Sequence, residues 1–231
     1  MMRQIAPNLW VSERPQTFYG LELGTRMTVI RLRSGDLWVH SPVALDSSIR
    51  AEVDSIGAIR FIIAPNRFHH LYAGQWRAAY PDARMFAAPG LDTKRKDLKF
   101  DSVLNDDGPP EWRDQIDQLV FRAFAPLNEV VFCDRASATL IFTDLMFNIT
   151  RSESVVARAL LRLDGAFAEP AVPRSFRALI RWRRYAARQA LERIMSWNFD
   201  RLIVAHGDIV ETGAKQAVEN AWRFLRFKSP A

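Results

Sequence analysis

The sequence predicts an α+β protein in which two mixed sheets pack face to face with helices on their outer faces. Three observations carry that expectation. Strand-like apolar runs open each half of the chain and helix-like runs close it, so each half supplies a sheet together with its cover. After residue 42 strands and helices alternate, which implies parallel pairing there. With 231 residues, 48% hydrophobic and 25% charged, the chain can bury one substantial core, and residues 1–231 read as a single domain without repeats or low-complexity tracts.

The elements follow in order. "NLWVSE", "FYGLELG", "MTVIRLR" and "LWVH" read as short strands punctuated by Pro15, Gly24 and the turn Ser34-Gly35-Asp36, an antiparallel meander. A helix over about 44–56 leads to the strand "RFIIA", a helix near 69–79 and the strand "RMFAA", which stops at Pro89-Gly90. Residues 91–112 are polar, and "NDDGPP" is the strongest loop signal in the chain. Three strands come next, "QLVFRAF", "EVVFCD" and "ATLIFTD". A helix around 153–162, a break at 170–173 containing two prolines, an arginine-rich helix, the strand "RLIVA" and a helix over about 211–226 complete the chain.

The start "MMRQIAPNLW" lacks the basic and apolar segments of a secretory signal, and no run approaches the roughly 18 apolar residues of a membrane span. A cytoplasmic protein is expected. Cys133 is the only cysteine, which agrees with a reducing compartment, and its place in "VVFC" suits packing. The net charge is +6. Much of the excess lies between residues 174 and 193, where Arg174, Arg177, Arg181, Arg184 and Arg188 alternate spacings of three and four and would form one stripe on a helix. Such a stripe is a candidate surface for nucleic acid, lipid headgroups or phosphorylated ligands, with nucleic acid not favoured. The plainer alternative is a solvated face beside the apolar row Phe176, Ile180, Ala187, Leu191 and Ile194.

Each of the four histidines stands at or just after the end of a strand-like run: His40 ends "LWVH", His69 and His70 follow "FIIAPNRF", and His206 ends "LIVAH". Asp144 ends "LIFTD" in the same way. Ligands of helix-covered sheets bind beyond the carboxyl ends of strands, so residues far apart in sequence can converge there. Imidazoles and a carboxylate suit a divalent zinc, iron or manganese ion. Helix caps or satisfied polar groups in a closed crevice would use the same residue types.

A meander, "APNRFHH" after a strand, "TD" ending a later strand and "AHGD" near the C-terminus together resemble the metallo-β-lactamase superfamily over nearly the whole chain. "PNRFHHLYAGQW" with "AAPGL" downstream looks like an uncharacterised, domain-of-unknown-function branch of it. The resemblance implies an αββα four-layer sandwich with a metal centre at one edge of the sheets. It also exposes departures from the family motif H-x-H-x-D-H: Pro65 and Arg67 fall at its first two histidines, His69 at its aspartate, and Asn128 at a later histidine. A first metal site is therefore not expected. His69, His70, Asp144 and His206 fall at the second site, implying one divalent ion, with His40 as a hydrogen-bond partner behind the ligands.

The function this implies is metal-dependent hydrolysis of a small, anionic ester, thioester or lactone-type molecule. Arg67 would hold an anionic group of the substrate, or close on an internal acid such as Asp134. Asp208 is a candidate base or orienting residue, or else a solvated turn residue. The alternative function is a catalytically inactive relative, without metal, that binds an anionic ligand or partner.

Overall fold

The computed structural model describes residues 1–18 and 20–226. The first sheet collects β1 (Met2–Ala6), β2 (Leu9–Arg14), β5 (Thr25–Arg31), β6 (Leu37–His40), β7 (Ile59–Ala64), β8 (Arg84–Ala87) and β9 (Ser102–Val103) in the order β1-β2-β5-β6-β7-β8-β9. Pairing is antiparallel from β1 to β6 and parallel from β6 to β9. A small hairpin of β3 (Thr17–Phe18) and β4 (Leu21–Glu22) interrupts the meander. "FYGLELG" therefore turns at Gly20 instead of running as one strand, and its Tyr19 lies outside the described residues.

The second sheet has the order β10-β11-β12-β13, formed by β10 (Ile116–Val120), β11 (Val130–Asp134), β12 (Thr139–Ile141) and β13 (Arg201–Ile203). The pair β12–β13 is parallel and the others antiparallel.

Side-chain alternation explains the layering. Leu9, Val11, Ile30, Trp38, Phe61, Ile63 and Phe86 point from the first sheet into a core shared with Ile116, Val130, Phe132, Ile141 and Ile203 of the second. The opposite face of the first sheet, with Met27, Val29, Val39, Ile62 and Met85, is covered by Ile49 and Val53 of α1 (Ser47–Ile56) and by Ala73 and Trp76 of α2 (Ala73–Ala79). The outer face of the second sheet, Leu119, Val131, Cys133, Leu140 and Leu202, lies under three helices that follow the short α3 (Leu91–Lys94) and α4 (Val155–Leu163): α5 (Arg174–Trp182), α6 (Arg184–Met195) and α7 (Ala214–Trp222). The result is the expected four-layer αββα sandwich. No helix among the described residues is long and apolar enough to cross a membrane.

Two expectations are corrected. The arginine row is divided between two helices, because the backbone leaves helical geometry at Arg183 (φ −110°, ψ 34°). Its members are also partly used within the fold: Arg177 donates to the Val172 carbonyl and Arg188 to that of Leu225. The polar segment 91–112 is not a plain loop either. It carries α3 and β9 and ends in Trp112, which is fully buried with its ring edge-on to Phe61 and Phe86.

Candidate metal centre

The parallel pairs β6–β7 and β12–β13 bring four strand ends to one edge of the sandwich. Ser41 follows β6, His69 lies in the turn after β7, Asp144 follows β12 and His206 follows β13. The β7 turn is folded by Asn66, whose side-chain oxygen accepts from the backbone N–H groups of Phe68 (2.8 Å) and His69 (2.7 Å). The β13 turn depends on Gly207, whose φ of +95° and approach to Asn148 leave no room for a Cβ.

Three side chains converge. Asp144 Oδ1 lies 2.9 Å from His206 Nε2 and 3.3 Å from His69 Nε2, and the two Nε2 atoms are 3.3 Å apart. All three side chains are at most 10% exposed. Each histidine is held from behind: His69 Nδ1 by Ser41 Oγ at 2.8 Å, and His206 Nδ1 by the Gly24 carbonyl at 2.8 Å. A carbonyl oxygen only accepts, so His206 Nδ1 carries a proton, and in the neutral ring Nε2 is a bare lone pair facing a carboxylate oxygen. Lone pairs do not converge in this way without a positive charge between them or a second proton on the ring. Three ligands placed tetrahedrally about one ion at about 2.0–2.1 Å stand roughly 3.3 Å apart, which is close to the spacing here. The donor set fits one divalent transition ion.

Asp144 is itself positioned. Burial pushes its carboxyl up, but the His69 and His206 imidazoles outweigh burial and hold it well below the usual carboxylate range. Its Oδ2 accepts from Asn66 Nδ2 at 2.7 Å. Behind it, the fully buried Glu129 accepts from the backbone N–H groups of Thr143, Asp144 and Leu145 and from Asn66. Burial first, then the Asp144 charge, push Glu129 up to about 8 against the pull of the Thr143 and Asp144 amides and Asn66. Arg26, 4% exposed, pairs with Glu13 and donates to the carbonyls of Val204 and Gly207, clamping the loop that carries His206. None of Asn66, Glu129, Arg26 or Ser41 is among the sequence candidates.

The structure separates the remaining candidates from this cluster. His70, next to His69 in a tight turn, borders the same cavity but stands outside the cluster: its Nδ1 lies 2.9 Å from Arg95 Nη1, and it is not one of the three residues whose ligand atoms fall within 4.8 Å of one another. Burial, then the charges of Lys94 and Arg95, hold its imidazole down at about 4. Arg67 is half-buried, does not line the cavity beside the cluster, and has no acid partner among the described residues. Asp134 is not its counter-ion; at the far end of β11 it accepts from Ser137. Asp208 is exposed and accepts from the Thr150 hydroxyl, as a turn residue would. His40 is buried between the sheets, stacked on Trp38 and edge-on to Phe132, with neither ring nitrogen hydrogen-bonded, so it is not a partner behind the ligands. Asn128, at the position of a lost first-site ligand, donates to the Pro89 carbonyl.

Two facing mixed sheets with helices outside and this cluster at their edge define a metallo-β-lactamase fold. The structure is similar to the DIM-1 metallo-β-lactamase exposed to ceftazidime, with TM-score 0.66 and 14% identity over 96% of this chain and 95% of that one. It is similar to a metallo-β-lactamase from Pontibacter korlensis, with TM-score 0.64 and 10% identity over 99% of each chain. The metal-soaked Flv1 flavodiiron core from Synechocystis is also similar, with TM-score 0.64 and 12% identity over 98% of this chain and 60% of that one. Among curated proteins, none matches the sequence. Within the fold, the chain belongs to the family described as a domain of unknown function, DUF4336, which matches residues 7–168 and so includes His69 and Asp144 but stops before His206.

Proposed function

We propose that the protein is a metal-dependent hydrolase with a single divalent ion held by His69, Asp144 and His206, acting on a small ester, thioester or lactone. The observation that carries this reading is the convergence of two Nε2 atoms and one carboxylate oxygen, with the proton of His206 pinned on the opposite nitrogen by Gly24. Three protein ligands leave one tetrahedral position open, the pattern of catalytic sites, whereas structural sites fill all four. A bound ion supplies Lewis acidity at the scissile carbonyl and acidifies water toward neutral pH. The chain's own residues do the rest. Ser41 and Gly24 fix the ring orientations, Asn66 and Glu129 fix the carboxylate, and the apolar wall around Phe147, whose ring is edge-on to His206, limits access of bulk water. One ion, not two, is proposed because Pro65, Arg67 and Asn128 bring no ligand set of their own.

The test is metal content. Protein supplied with zinc, manganese or iron should retain about one ion per chain, Asp144→Asn and His206→Ala should retain none, and only the loaded wild type should hydrolyse members of an ester and lactone panel. A wild type that binds no ion under any supply would overturn the proposal and leave His69, Asp144 and His206 as a polar cluster in a non-catalytic protein.

A further inference from the structure

His69, Asp144 and His206 form part of the wall of a cavity of about 390 Å³, within the size range of small-molecule sites. Most of the remaining wall is apolar and aromatic, with Phe124 from the loop before β11, Phe147 from the segment after β12 and Phe176 from α5 contributing rings. The one lysine or arginine in the lining is Lys94, at the rim. Lys94 lies over the Phe68 ring, 4.9 Å from its centre, and donates to the Arg67 carbonyl. Its charged neighbours are Arg67 and Arg95. Arg95 is neutralised by Asp97, but among the described residues neither Lys94 nor Arg67 has an acid within ion-pair distance. The rim thus carries uncompensated positive charge above a wall of phenylalanines, which favours a ligand with an apolar body and one anionic group.

We infer that the cavity takes an amphiphile, an acyl or aryl body bearing a single carboxylate, with the body against the phenylalanine wall and the carboxylate on Lys94. That this ligand is a substrate rests on the hydrolase proposal. That it binds does not, so the two can fail separately.

The experiment is calorimetric titration of chelator-treated, metal-free protein with butyrate, hexanoate and octanoate, and with octanol and octylamine. Affinity should rise about fourfold per methylene. Octanoate should bind about fivefold tighter than octanol, as expected for a half-exposed ion pair, and tighter still than octylamine. In Lys94→Ala the preference for carboxylate should vanish while octanol affinity is unchanged; in Lys94→Glu it should turn toward octylamine. Affinity independent of chain length would overturn the apolar body, and a carboxylate preference surviving in Lys94→Ala would overturn the role of Lys94. Octanoate binding by a protein that never takes up metal would uphold this inference and defeat the hydrolase reading.

Discussion

Replacing His40 with leucine should flatten the acid sensitivity of the fold. His40 is 2% exposed, packed between Trp38 and Phe132, and neither ring nitrogen has a hydrogen-bond partner. Burial, reinforced by the nearby His69, holds its imidazole down to about 3. In the unfolded chain the same ring takes up a proton near pH 6.5. Between these values the unfolded state binds more protons than the folded one, so stability rises with pH and is lost on acidification. At about 1.4 kcal/mol per pH unit, lowering the pH from 7.5 to 4.5 costs roughly 2.5 kcal/mol through this group alone. Leucine cannot bind a proton, and it replaces two orphaned nitrogens with apolar atoms, so His40→Leu should be near neutral or stabilising at pH 7.5. The assay is urea unfolding of chelator-treated wild type and variant at both pH values, read by tryptophan fluorescence. Every other ionisable side chain is common to the two proteins, so the difference between them isolates position 40. An acid-induced loss that is the same in both within about 0.5 kcal/mol would refute the reasoning.

Gly207→Ala should be among the most damaging single-methyl additions, because its Cβ would sit 2.0 Å from the Asn148 carbonyl oxygen at a φ of +95°. A loss of about 3 kcal/mol or more, a drop in melting temperature of roughly 6 °C or more, is expected, and melting within about 2 °C of the wild type would contradict it. Ser41→Gly should move two quantities in opposite directions: relief of the left-handed backbone at φ 52° should raise stability by about 1 kcal/mol, while loss of the hydroxyl behind His69 should weaken metal binding about 10- to 100-fold. Titration of metal into the variant with unchanged affinity would remove Ser41 from the site.

His69, Asp144 and His206 could be found in the sequence because each is a ligand-type residue at the end of an apolar run, and strand ends are where such sheets place their sites. His70 has the same signature and borders the same cavity, but its Nδ1 meets Arg95, a contact that the sequence gives no sign of. The residues behind this cluster carry no such mark. Arg26 reads as an ordinary outward charge in "TRMTVIR" until the pairing Glu13↔Arg26 shows it on the face turned toward the second sheet. Glu129 reads as the polar edge of "EVVFCD", and only the arrival of the amides of 143–145 explains its burial. Strands of two residues such as β9, and the break at Arg183 with neither proline nor glycine, depend on tertiary packing and leave no local pattern to read.

The bond from Gly24 to His206 spans 182 positions of chain, and those from Asn66 to Asp144 and from Ser41 to His69 span 78 and 28. No local fragment contains the centre. It comes into being only when the first and last quarters of the molecule have closed on each other, so an ion would find its holder late in folding and would act as a clasp on the finished chain. By mass action, free ion at a hundred times its dissociation constant would add about 2.7 kcal/mol to the folded state alone, so a melting curve with and without metal would report on the joining of the two sheets.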